Sequence, residues 1–112
     1  MAYKSSGASN YGNASATDVT LTSVVAAVGD TIFAVYYYRN NGTNNVSVPT
    51  WNGESFTQLS KYGAPVADEQ HWLQVFSLTT ASAGTYSIIA TQSALTQNVG
   101  GYAVYDLSLI HI

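Results

Sequence analysis

The chain contains no cysteine. That single absence removes disulfides, thiolate metal sites and cysteine nucleophiles together. Charge is almost as scarce: Asp, Glu, Lys and Arg make up 8% of the 112 residues, against about a quarter in ordinary soluble domains. The basic residues are Lys4, Arg39 and Lys61, and the net charge is −3. Three scattered cations cannot neutralise a row of phosphates, so nucleic acid is excluded as a partner. No long apolar run is present either. The longest, residues 32–38, is far too short to span a bilayer, and no membrane insertion is expected. The opening MAYKSSG has no apolar segment ahead of a small-residue cleavage site, so no secretory signal is visible.

What is present is apolar and aromatic residues set among uncharged polar ones. Hydrophobic residues make up 46%, with nine Tyr and two Trp, which excludes a disordered chain. Solubility falls to Ser, Thr, Asn, Gln and Gly, a balance common in extracellular and virion β-proteins. The length allows one small domain with a core. No helical period persists anywhere. Instead, short β-prone runs alternate with turn chemistry at intervals of about ten residues, the pattern of a sandwich or barrel.

In chain order, residues 1–17 are poor in apolar side chains and read as a flexible leader. Val19, Leu21 and Ser23 alternate with Asp18, Thr20 and Thr22 as a half-buried strand to about Ala27. After the Val28-Gly29-Asp30 turn comes TIFAVYYY, the strongest strand, apolar on both faces. RNNGTNN at 39–45 is a polar loop. Val46, Val48 and Thr50 begin an edge strand marked by Pro49. Asn52-Gly53 closes a tight hairpin, since both residues tolerate positive φ, and 55–60 returns as the partner strand. Residues 61–70 read as a longer loop broken by Gly63 and Pro65. Strands follow at 71–78, 85–91 and 99–106, with a loop at 92–98. The expected core draws on Leu21, Ile32, Phe33, Val35, Trp51, Phe56, Leu73, Val75, Phe76, Leu78, Ile88 and Val104. Because 32–38 and 71–78 are apolar throughout, the pattern does not assign their inward face.

The order GDTIFAVYYY, VPTWNGESFTQL, HWLQVFSL, SAGTYSIIAT, GGYAVYDLS resembles a β-sandwich module, immunoglobulin-like or jelly-roll, that recurs in phage and bacterial surface proteins. The turn residues carry the likeness, although Thr79, Thr80, Ala81 and Ser82 stand where prolines often do. It implies a non-catalytic spacer or binding domain, followed by further strands. The closing LSLIHI, residues 107–112, resembles one translated frame of a sequencing adapter. The expectation is therefore a sandwich domain over 18–106, truncated, with an adapter-derived tail, in a fragment from environmental DNA. Such a fragment is expected to be marginally stable and prone to associate through uncovered strands.

Catalytic chemistry has little to stand on. Apart from His111 in the tail, His71 is the lone histidine. No serine sits in a Gly-X-Ser-X-Gly elbow. Asp68 and Glu69 are adjacent, so in an extended chain they point to opposite faces and do not flank one bond as glycosidase carboxylates do. No acidic loop with alternating oxygen ligands offers a metal site. No enzyme, cofactor or metal is expected. Asn13, Asn41 and Asn45 fall in glycosylation patterns that mean little in an Asn-rich chain. Aromatic rings are the positive signal: Tyr36, Tyr37, Tyr38, Trp51, Tyr62 and Trp72 can stack on a sugar face, or simply pack across strands. Tyr36, Tyr38, Trp51 and Trp72 are the candidate ligand-binding residues. The expected function is a structural or adhesion module of a phage virion or bacterial surface protein, on the virion, outside the cell or at its surface. Its expected partners are other subunits. A carbohydrate-binding module that holds glycans with exposed Trp and Tyr is the alternative.

Overall fold

The computed structural model describes residues 2–11, 20–40, 46–66, 69–90 and 97–106. The strands are β1 (Ala2–Tyr11), β2 (Leu21–Ala26), β3 (Asp30–Asn40), β4 (Thr50–Trp51), β5 (Glu54–Ser55), β6 (Thr57–Val66), β7 (Glu69–Thr79), β8 (Gly84–Ile89) and β9 (Gln97–Asp106). They form a five-stranded sheet, β1-β9-β3-β7-β6, packed on a four-stranded sheet, β2-β8-β4-β5. All the pairings are antiparallel. The protein is an all-β sandwich, as the patterning implied.

The pairing separates the two expected variants. β1 pairs with β9, β2 with β8, β3 with β7 and β4 with β5, as in one long hairpin folded over on itself. Consecutive strands therefore lie in opposite sheets along most of the chain. That is jelly-roll winding, whereas an immunoglobulin fold keeps its first two strands side by side.

Turn chemistry places the corners. Asn52 and Gly53 have φ of 49° and 76°, the two positive values that a type I′ hairpin needs, and they join β4 to β5. Gly29, at φ 87°, closes a turn in which the Asp30 N–H donates to the Ala27 carbonyl at 3.1 Å. Asp30 is buried, and its Oδ2 accepts from the Ala27 N–H at 2.8 Å and from Lys4 Nζ at 2.6 Å. The second bond ties β1 to this corner.

Several expectations need correction. Residues 2–11, read as part of a flexible leader, form β1 along the full length of β9. Their small polar side chains hid a strand whose place is set by backbone pairing and the Lys4–Asp30 contact. Residues 61–66, read as loop, belong to β6. Pro65 is tolerated there because β6 is an edge strand with one partner, β7. Val46 and Val48 precede β4 without joining a strand. Asp18, Val19 and Asp68 lie outside the described residues, as do 12–17, the loop positions 41–45 and 92–96, and the tail 107–112.

The core lies between the sheets and settles the inward face. On β3, Ile32, Ala34, Tyr36 and Tyr38 are buried, and on β7, Gln74, Phe76 and Leu78. Leu21, Val24, Trp51, Phe56, Ile88 and Val104 join it, with Ala26, Val46 and Ala90. Each fully buried Ile or Phe contributes roughly 1.5–3 kcal/mol. Val35 and Leu73, expected inside, are exposed on the opposite face, and Phe33 and Val75 are half-buried. Alternation forces this, because each has the opposite parity to its buried neighbours.

At one corner, Ser82 Oγ donates to Glu54 Oε2, and the Ala81 N–H donates to Glu54 Oε1 at 2.7 Å. The serine bond, then the backbone bond, holds the Glu54 carboxyl below the usual range. A depressed acid adds stability that is present above its unfolded pKa and lost as pH falls through its folded value. Acid-induced weakening should therefore be smaller in Glu54→Gln than in the parent, measured by urea melts across the acid range. Equal slopes would show that this contact adds nothing.

An aromatic depression on the outer sheet face

The outward residues of the five-stranded sheet follow from its register. Leu73 stands between Tyr37 on β3 and Tyr62 on β6, with Val99 on the far side of Tyr37. One step along, Val35 is flanked by Val75 and Gly101, and Gly101 pairs with Ala8 on β1. Toward the other end, Tyr105 packs edge-on against Tyr3 and Phe33, each at 5.9 Å between centroids. Arg39 and Glu69 hold positions of this parity at the end of the sheet beside His71, and among the described side chains of the rest of the register there is no Asp, Glu, Lys or Arg.

Tyr37, Tyr62, His71, Trp72 and Leu73 line a shallow depression of about 240 Å³ here. The Tyr37 hydroxyl lies 2.5 Å from His71 Nδ1, with the rings stacked 28° apart in plane. That bond holds both rings, and the Tyr62 ring beside them is 69% exposed.

Trp72 belongs to the inward register beside Tyr38 and Gly63, and is half-buried at the edge of the core. Its ring lies across Gly63, where a Cβ would come within 2.1 Å of it. The Lys61 ammonium sits 4.6 Å from its centroid, a cation–π contact. Its Nε1 is buried with no hydrogen-bond partner among the described residues. Gly63→Ala is expected to push the indole outward, red-shift its emission and cost about 1–3 kcal/mol by overpacking. An unchanged spectrum would mean that the ring does not rest on Gly63.

Of the four rings chosen from sequence, three are inside. Tyr36 packs edge-on to Phe76 at 6.0 Å between centroids, Tyr38 bonds to Gln74, and Trp51 is wholly buried. None of these three can stack on a ligand, which corrects that expectation; Trp72 alone reaches the depression. Tyr37 and Tyr62, named among the rings but not chosen, stand on the outer face with His71 and Leu73. Parity separates them from Tyr36 and Tyr38, and one known inward residue on β3 would have found them.

Among the described residues, no group of three His, Asp or Glu side chains could hold a metal ion. No helix there is long and apolar enough to cross a membrane. Compared with protein-family models, curated proteins and solved structures, the chain matches none.

Proposed function

We propose that this chain is a non-catalytic structural or adhesion module of a phage virion or bacterial surface protein, and that it works by contact through the outer face of its five-stranded sheet. The observation that carries this reading is the apolar character of that face. Tyr3, Val35, Tyr37, Tyr62, Leu73 and Val99 are all exposed on it, with Arg39 and Glu69 confined to the end of the register beside His71. Contiguous exposed apolar patches of more than a few hundred Å² mark interaction surfaces. Other virion or surface-protein subunits are the partners that such a face fits.

Two observations test this. Chromogenic ester, glycoside, phosphate and peptide substrates should show no turnover above that of heat-denatured protein. Turnover lost in His71→Ala would replace the reading with an enzyme. The natural gene should also lie among tail, baseplate or surface-protein genes. A glycosidase in the same chain would count for the second reading, glycan binding, which the Tyr37–Tyr62 depression favours. Saturable sugar binding on a glycan array, lost in Tyr62→Ala, would establish it.

A further inference from the structure

We propose that Lys4 and Asp30 condense to an isopeptide bond that ties β1 covalently to β3, with Asp106 carrying the proton. This tie is independent of the outer-face contact described above.

Lys4 Nζ lies 2.6 Å from Asp30 Oδ2, which brings the amine within reach of the carboxyl carbon. The register of β1 on β9 shifts between Tyr3 and Ser5, so Lys4 is the extra residue of a β-bulge. Bulges re-aim a side chain. β9 lies between β1 and β3, and the Lys4 side chain has to cross it to reach Asp30. The β9 residue directly opposite Asp30 is Asp106. Directly opposed residues of a ladder have Cβ atoms about 4.5–5.5 Å apart. Three strands thus bring one amine and two carboxyl groups together at one end of the sheet.

The surroundings favour a neutral product. The Asp30 side chain is 3% exposed. Ile32 and Val104, the next inward residues on β3 and β9, are wholly buried. Holding an ion pair out of water is costly, and condensation replaces it with an uncharged amide. Lys4 keeps 39% of its side chain in solvent, which leaves a way out for the released water. A held pair of reactants acts at an effective concentration of about 10⁵–10⁸ M, far above any that free groups reach. A second carboxylate directly opposite the first only weakens a plain ion pair. In the condensation it is the group that moves the proton.

The atoms balance. The Lys4 ammonium gives one proton to Asp106, which passes it to Asp30 Oδ1. The Nζ lone pair attacks Cγ of the neutral acid. The Ala27 N–H, 2.8 Å from Oδ2, stabilises the charge that develops on that oxygen. A second proton follows the same route from nitrogen to Oδ1, the Cγ–Oδ1 bond breaks, and water leaves. Asp106 ends as the carboxylate it began as, and nothing is oxidised or reduced. The bond closes residues 4–30 into a loop. It also secures β1, which contributes no side chain to the core cluster, in a chain that has no cysteine for a disulfide.

Mass spectrometry of the folded full chain tests this. The expected mass is one water below that of the sequence. Trypsin should no longer cut after Lys4, so that residues 1–39 come away as one peptide carrying the whole deficit. Its fragment ions should join Lys4 to Asp30. Lys4→Arg keeps the positive charge without a nucleophilic amine and should show the full mass. Asp106→Asn keeps the shape without the proton carrier. After a pulse of cell-free synthesis it should form the bond about 10²–10⁴-fold more slowly than the parent. Circular dichroism confirms that each variant is folded. A folded parent chain that keeps its full mass and is cut after Lys4 overturns the proposal and leaves an ion pair. So does a water deficit that persists in Lys4→Arg or that maps outside residues 1–39. Bond formation at the parent rate in Asp106→Asn overturns the role given to Asp106.

Discussion

Trp51→Ala is expected to lower the stability to unfolding by about 3–5 kcal/mol, the usual loss for deleting a large buried aromatic side chain. The indole is fully buried. It belongs to β4, a strand of two residues, and is part of the core cluster. Its Nε1–H donates to the Val24 carbonyl on β2 at 3.1 Å, and its ring meets Tyr86 edge-on at 5.1 Å between centroids. So short a strand has little ladder of its own, and the side chain fixes it in place. A domain of this size holds about 5–15 kcal/mol in total, so the variant should be largely unfolded under conditions where the parent is folded. Trp51→Phe should cost less, because it keeps much of the volume and forfeits mainly the bond to Val24. Urea melts followed by circular dichroism measure both. A loss below about 1 kcal/mol for the alanine variant would show that the site collapses without the ring.

The second large effect belongs to Gln74, a buried polar residue in the middle of the core face of β7. Its Oε1 accepts from the Tyr38 hydroxyl at 2.7 Å and from the Val46 N–H at 3.0 Å, and its Nε2 donates to Gln58 Oε1 at 2.8 Å. Gln74→Ala strands two buried donors at once. Each costs about 1–3 kcal/mol, so the sum should fall at about 2–6 kcal/mol. Tyr38→Phe removes one of those donors, so the double variant should lose less than the two single variants added together. Strict additivity would show that the two groups do not interact. Burial pushes the Tyr38 hydroxyl up to about 12, against a smaller opposing pull from the backbone of Val46. A raised pKa means that the stability is full below the ordinary tyrosine range and is lost as pH rises toward that value. Tyr38→Phe should blunt this alkaline loss.

How much of this was legible in the chain depended on whether the signal was local. Asn52-Gly53 and Gly29 announce their corners because positive φ is a property of the residue itself. The strength of β3 and β7 was equally plain. Their inward faces were not, because Val35 and Leu73 are as apolar as Ala34 and Phe76, and only the opposing sheet decides which parity is buried. The site depended on the same unknown, so Tyr36 and Tyr38 stood for Tyr37, one position away. β1 escaped notice for the opposite reason. Its Ser, Gly and Ala side chains carry almost no hydrophobic pattern, and it is held by β9 and by a lysine reaching an aspartate 26 positions away. β6 was hidden by Gly63 and Pro65, residues that usually break strands. Here the glycine makes room for Trp72, and the proline sits on an edge.

Hydroxyl-radical footprinting of the intact chain tests the division of β3 and β7 into a core face and an outer face most directly. The expected result is that Ile32, Tyr36 and Phe76 are unlabelled, whereas Val35, Tyr37, Tyr62 and Leu73 label. Labelling of Ile32, Tyr36 and Phe76 with Val35, Tyr37 and Leu73 protected would contradict it.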